Sequence, residues 1–121
     1  MMYLLITEGT ATPVRRAGRI TQEQMAGAVG GPIETLPIPG ETGPRRLALV
    51  VSELGPVGGA PLNFWLRCWT SPVHGSALVV VLEERGREVD FAPLGPADLD
   101  RVALAPAGEL GRRLVVARGG A

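Results

Sequence analysis

Apolar residues along this chain fall in short runs separated by glycine and proline, each run the length of a strand or a short helix. Ser76-Ala77-Leu78-Val79-Val80-Val81-Leu82 is β-branched and does not alternate, which marks a central strand buried on both faces. Tyr3 to Thr7, bounded by Glu8-Gly9, reads as a second buried strand, and Arg45 to Ser52 carries a third in Leu47-Ala48-Leu49-Val50-Val51. Ile33 to Ile38 alternates and carries Pro37 near its end, as an edge strand does. Val14 to Arg16 is a shorter edge candidate, Glu88 to Phe91 a short strand, and Leu114-Val115-Val116-Ala117 the last one. Pro39 to Pro44 and Gly55 to Pro61 are loops, Pro72 to Gly75 a turn, and Glu83 to Arg87 a polar loop.

Helical signals interrupt the strands instead of alternating with them. Thr21 is placed to cap a helix, and Gln24 stands at the capping-box position three residues on. Ile20 and Met25 are spaced as a hydrophobic staple, Met25, Ala28 and Val29 form the apolar face, and Gly30-Gly31 ends the helix. Pro32 then sets an extended exit. Leu62, Trp65, Leu66 and Trp69 fall at helical spacing, so Leu62 to Thr70 reads as a second helix. Pro96 to Val102 is a third and short one, with Asp98 and Asp100 complementing its N-terminal dipole. The class that follows is α+β: a small, mostly antiparallel sheet with two or three short helices in a single layer on one face. No repeat or linker divides the 121 residues, so a single domain with a frayed tail over 119–121 is expected.

Composition narrows the function classes. Acidic and basic residues balance at 12 each, so no overall field draws the chain to nucleic acid or membrane. Every basic residue is arginine, grouped as Arg15, Arg16 and Arg19, as Arg45-Arg46, and as Arg112-Arg113 with Arg118. One cysteine, Cys68, rules out an internal disulfide and a cysteine-based zinc site, and its apolar neighbours suit a buried thiol. One histidine, His74, leaves no multi-histidine metal centre. No apolar run approaches the ~20 residues of a membrane span. The first residues lack the basic head of a signal peptide, so the expected compartment is the cytoplasm.

Four segments together resemble a family of small phage, plasmid and mobile-element proteins, domain-of-unknown-function family 3846. They are the helix leading into Val29-Gly30-Gly31-Pro32-Ile33-Glu34, the strand ending Val51-Ser52-Glu53 before Gly55, Pro61-Leu62-Asn63, and His74-Gly75 entering Leu78 to Leu82 with Asp90 to Leu94 beyond. The resemblance spans roughly Thr21 to Leu104. It implies mobile-element cargo acting in the cytoplasm of a bacterial host, and it implies no particular chemistry.

The candidate residues carry no catalytic constellation. His74 lies in a turn without a nucleophile elbow, Glu83-Glu84 reads as a solvated pair, and Asp98 and Asp100 as decoration of a helix start. Gly30-Gly31-Pro32 follows a helix instead of preceding one, so it lacks the order that aims amides at a phosphate. The aromatic segment offers binding chemistry. On a helix Trp65 and Trp69 share a face, either as core or as a stacking surface, with Arg67 meeting a charged group and Asn63 a polar edge. Glu34 and Glu53 are acids at strand positions, and with His74 they complete the candidate ligand-binding set. The sequence therefore points to a homo-oligomeric, non-enzymatic accessory protein without cofactor or metal. Its expected ligand is a small phosphate-bearing, nucleotide-derived defence signal that it sequesters. The alternative is a module that docks on and inhibits a host protein.

Overall fold

The computed structural model describes residues 1–55, 57–66, 71–106 and 111–117. In chain order the elements are β1 (Met2–Thr7), β2 (Thr10–Arg15), α1 (Gln22–Val29), β3 (Ile33–Pro37), β4 (Arg45–Ser52), β5 (Leu62–Leu66), β6 (Ser71–His74), β7 (Ala77–Arg85) and β8 (Glu88–Ala92). The chain then forms α2 (Pro96–Asp100), β9 (Val102–Pro106) and β10 (Arg112–Val116). The valine-rich run is indeed central. β7 lies between β1 and β4 in the first sheet, ordered β2-β1-β7-β4-β3, and Ala77 to Val81 are fully buried. β8 shares one flank of β7 with β1: β1 pairs with Ala77 to Val79, and β8 with Val81 to Arg85. The second sheet is ordered β6-β5-β10-β9, and β10 runs parallel to β5. Every other pairing is antiparallel.

Strand alternation assigns each face of the first sheet its own cover. Leu47, Leu49 and Val51 on β4, with Val79 and Val81 on β7, meet Phe64, Leu66, Val73 and Leu114 of the second sheet. Val50, Leu78, Val80 and Tyr3 point the other way, onto Ile20, Met25 and Val29 of the helical segment. One face is thus a sheet-on-sheet core and the opposite face is roofed by a single helix. α2 does not join that roof: its Leu99 packs against the inter-sheet core. The broad α+β, mostly antiparallel reading stands, but the strands divide between two sheets and the helices do not share one cluster.

The α1 boundaries follow the sequence closely. The Thr21 side chain accepts from the Gln24 N–H (3.1 Å), and the Gln24 side chain accepts from the Thr21 N–H (2.9 Å). The two glycines that end α1 have different causes. Gly30 adopts the left-handed cap at φ 87°, whereas Gly31 is needed for space: a Cβ there would lie 2.7 Å from Ser52 Oγ. Gly31→Ala is expected to cost about 1–3 kcal/mol by overpacking. A Ser52→Ala background should recover much of this, because Ser52 Cβ would be at an ordinary 3.8 Å. A urea-denaturation double-mutant cycle reads the coupling, and additive costs would refute the contact.

Other expectations need correction. The stretch from Leu62 begins as a strand, not a helix. Leu62 to Leu66 is short enough to fit either period, and pairing with β6 and β10 settles it by turning Phe64 and Leu66 into the core. Arg67, Cys68 and Trp69, like the 119–121 tail, lie outside the described residues. The Pro72 turn is part of β6, and the polar Glu83 to Arg85 stretch extends β7 into a hairpin with β8. β9 was not anticipated. The outermost strands β2, β3, β6 and β9 each contain a proline: Pro13, Pro37, Pro72 and Pro106. No helix among the described residues is long and apolar enough to cross a membrane.

Candidate functional site

Asn63 organises one end of the molecule. Between Leu62 and Phe64 the β5–β6 register shifts, so Asn63 has no partner across the ladder, and a bulge of this kind re-aims a side chain. Its amide is buried, with 6% of the residue exposed. Nδ2 donates to the carbonyls of Ile6 (2.7 Å) and Gly75 (2.8 Å), while Oδ1 accepts from the Gly9 N–H (2.8 Å). One side chain thereby ties together the β1–β2 turn, the bulged start of β5 and the β6–β7 connection. With both of its N–H donors used, Asn63 is a clamp for the backbone around it.

A cleft of about 570 Å³ opens beside that clamp, within the size range of small-molecule sites. Its walls include Thr7, Glu8 and Thr10 from the first hairpin, Ser76, and Arg112 at the start of β10. The Thr7 and Ser76 hydroxyls bond each other at 2.9 Å. Pro61 and the half-exposed Leu62 supply an apolar shelf. Arg112 lies over the hairpin turn, since a Cβ on Gly9 would come within 3.2 Å of its Cγ. Neither the Arg112 nor the Glu8 side chain forms a hydrogen bond or ion pair with any described residue. The cleft therefore presents one cation and one carboxylate, both unengaged, beside hydroxyl groups and an apolar surface.

No known protein family, curated protein or solved structure matches the chain.

The residues singled out in the sequence do not converge on this cleft, Asn63 apart. Glu34, Glu53 and His74 come together elsewhere, along a shallow depression of about 120 Å³ between β3, the end of β4 and β6. His74 Nδ1 lies 3.1 Å from the Ala60 carbonyl, which fits a ring donating from Nδ1. Among the described residues no group of histidine, cysteine and acidic side chains is arranged to hold a metal ion. Trp65 alternates with Phe64 and Leu66, half-buried on the outer face of the second sheet. It lines neither the cleft nor the depression.

A second polar centre was hidden in residues the sequence assigned to surface roles. Arg45 donates to both carboxylate oxygens of Asp98, at 3.1 and 2.7 Å, and the Gly95 N–H donates to Asp98 at 2.7 Å. Arg101 lies near the same carboxylate at 3.9 Å, pairs with Glu41, and donates from Nε to the Ala117 carbonyl at 2.9 Å. Glu41 also accepts from the Leu47 N–H at 3.0 Å. Asp98 is thus buried inside an arginine network that straps α2 to β4 and to the end of β10. The Arg45 hydrogen bonds hold the Asp98 carboxyl below the usual aspartate range against the opposing effect of burial, with help from the Gly95 N–H and the nearby arginine charges. Arg46 is likewise engaged, with Glu84 at 2.8 Å, so Arg45-Arg46 is not a free basic patch and Glu83-Glu84 is not a free acidic one.

Proposed function

We propose that this protein is a non-enzymatic binding protein that holds a small phosphate-bearing ligand in the cleft beside Asn63, with Arg112 as the anion contact. The observation that carries the reading is an arginine with no acidic partner among the described residues, on the wall of a cleft of about 570 Å³. Arg45, Arg46, Arg85 and Arg101 have acidic partners, and the described arginines that, like Arg112, form no ion pair (Arg15, Arg16, Arg19, Arg87 and Arg113) do not line this cleft. A guanidinium beside hydroxyl groups suits a phosphate, because its planar fork donates two parallel bonds to oxygens. Leu62 and Pro61 supply the apolar surface on which an aromatic or sugar face would rest. A nucleotide-derived signal, sequestered instead of turned over, joins a phosphate to a sugar and a flat base and so suits both the arginine and the apolar shelf.

Isothermal calorimetry of the purified protein with bacterial cyclic nucleotides, 5′-nucleotides and ADP-ribose tests this. At least one should bind, and Arg112→Ala should weaken it about tenfold or more, the effect of losing a charge-assisted hydrogen bond. Because Arg112 is exposed, the variant's melting temperature should stay close to that of the unaltered chain. Absence of heat with every compound would remove the proposal.

A further inference from the structure

We infer that Glu8 makes this cleft selective for ribose-bearing ligands, its carboxylate accepting from the cis-diol of a nucleotide whose phosphate is held by Arg112. The inference rests on the ligand reading above and adds a second recognition element to it. Thr7 pairs with Thr10, so Glu8-Gly9 is a two-residue hairpin loop. Both loop residues have positive φ, 51° at Glu8 and 73° at Gly9. That combination defines the type I′ geometry, in which asparagine, aspartate or glycine is ordinarily found at the first position. Glu8 is the only non-glycine residue with positive φ among those described. A long side chain held in a disfavoured backbone region points to a role for the side chain, because such positions gather at ligand clamps.

The turn is also held rigidly. Asn63 Oδ1 fixes the Gly9 N–H at 2.8 Å from one side, and the Arg112 stem lies over Gly9 from the other. Glu8 and Arg112 are therefore carried by one clamped unit, yet they do not neutralise each other by an ion pair. A carboxylate accepts two hydrogen bonds from adjacent hydroxyls, the recognition that an acidic residue gives a ribose in dinucleotide sites. It would also repel a second phosphate placed against it. The class that satisfies both charges is a nucleotide with free 2′- and 3′-hydroxyls and its phosphate at Arg112, the sugar lying between. The Thr7, Thr10 and Ser76 hydroxyls line the same cleft.

The experiment compares the full chain with Glu8→Gly and Arg112→Ala by calorimetry, using AMP, GMP, CMP, UMP and ADP-ribose. The 2′,3′-dideoxy counterpart of every mononucleotide that binds is then measured. The unaltered protein should bind the ribose form at least tenfold more tightly than the dideoxy form, and Glu8→Gly should abolish that ratio while keeping dideoxy binding. Glu8→Gly should also melt no lower than the unaltered chain, since glycine relieves the turn. Equal affinity for ribose and dideoxy forms, with Arg112→Ala still weakening binding about tenfold or more, would overturn the role of Glu8 and leave the ligand reading intact. Binding to none of the five compounds would overturn the ribose inference; the ligand reading then falls only if the cyclic nucleotides also fail.

Discussion

Replacing Asp98 by alanine is expected to lower stability at pH 7 by about 2–3 kcal/mol, far more than a surface acid would. The side chain is 7% exposed and receives three hydrogen bonds, two from Arg45 and one from the Gly95 N–H. The estimate sits below the full cost of breaking a buried ion pair because the Arg45 side chain is 49% exposed and can be rehydrated. In a chain of this size the loss corresponds to a melting temperature lower by roughly 8 °C. Asp98→Asn should fall between the two, keeping an acceptor for Gly95 while turning an amide donor toward a guanidinium. The carboxyl is held below its ordinary value, chiefly by the Arg45 hydrogen bonds. Its contribution is therefore present above the unfolded aspartate value of about 3.9 and lost as pH falls through the lower folded value. The gap between the unaltered chain and Asp98→Asn should thus narrow on acidification below about pH 4. Equal stability of the two proteins at neutral pH would show that the strap does not hold α2 in place.

Asn63 gives the second large effect, and there the choice of substitution is diagnostic. Asn63→Ala removes three hydrogen bonds and leaves the Ile6 and Gly75 carbonyls and the Gly9 N–H without their partner. At about 1 kcal/mol for each, the loss is about 3 kcal/mol. Asn63→Asp preserves the shape yet sets a carboxylate oxygen against two carbonyl oxygens. It should be at least as damaging as alanine at pH 7 and should recover partly at pH 5, where protonation restores one donor. Urea denaturation of the three proteins at both pH values measures this. A stable, pH-insensitive Asn63→Asp would show that Asn63 is not a backbone clamp. Ligand binding at the cleft should weaken in both variants, since the hairpin that carries Glu8 loses its anchor.

The strands and the first helix were legible because their signals are local. The capping box at Thr21 and Gln24, the unalternating run Leu78 to Leu82 and the proline-terminated Ile33 strand each state their structure within a few residues. The segment Leu62 to Leu66 reads as a helix because five residues satisfy both the helical and the strand period; pairing with β6 and with β10, the latter almost fifty positions later in the chain, decides between them. For the same reason the sequence did not reveal that the strands divide into two sheets. The site was harder still. Asp98 looked like an ordinary acid at a helix start, and nothing near it in sequence announces Arg45. Glu34, Glu53 and His74 do share a depression, but their common placement follows from pairing among β3, β4, β5 and β6. Glu8-Gly9 did carry a usable signal: a two-residue loop with glycine in its second place, flanked by threonines, announces a tight hairpin.

The prolines in β2, β3, β6 and β9 have a consequence for how this chain meets copies of itself. An exposed strand edge templates the addition of another strand, the route by which partly folded chains aggregate and stable ones exchange segments. Proline has no N–H to offer such a neighbour, so each outermost strand carries an interruption against it. Growth beyond β2 and β3 in the first sheet and beyond β6 and β9 in the second is thereby opposed, whereas β8, which pairs only with β7, carries no proline. If this protein assembles in the cell, side chains on its faces and loops are better suited to form the contact than a continuation of its sheets beyond those four strands.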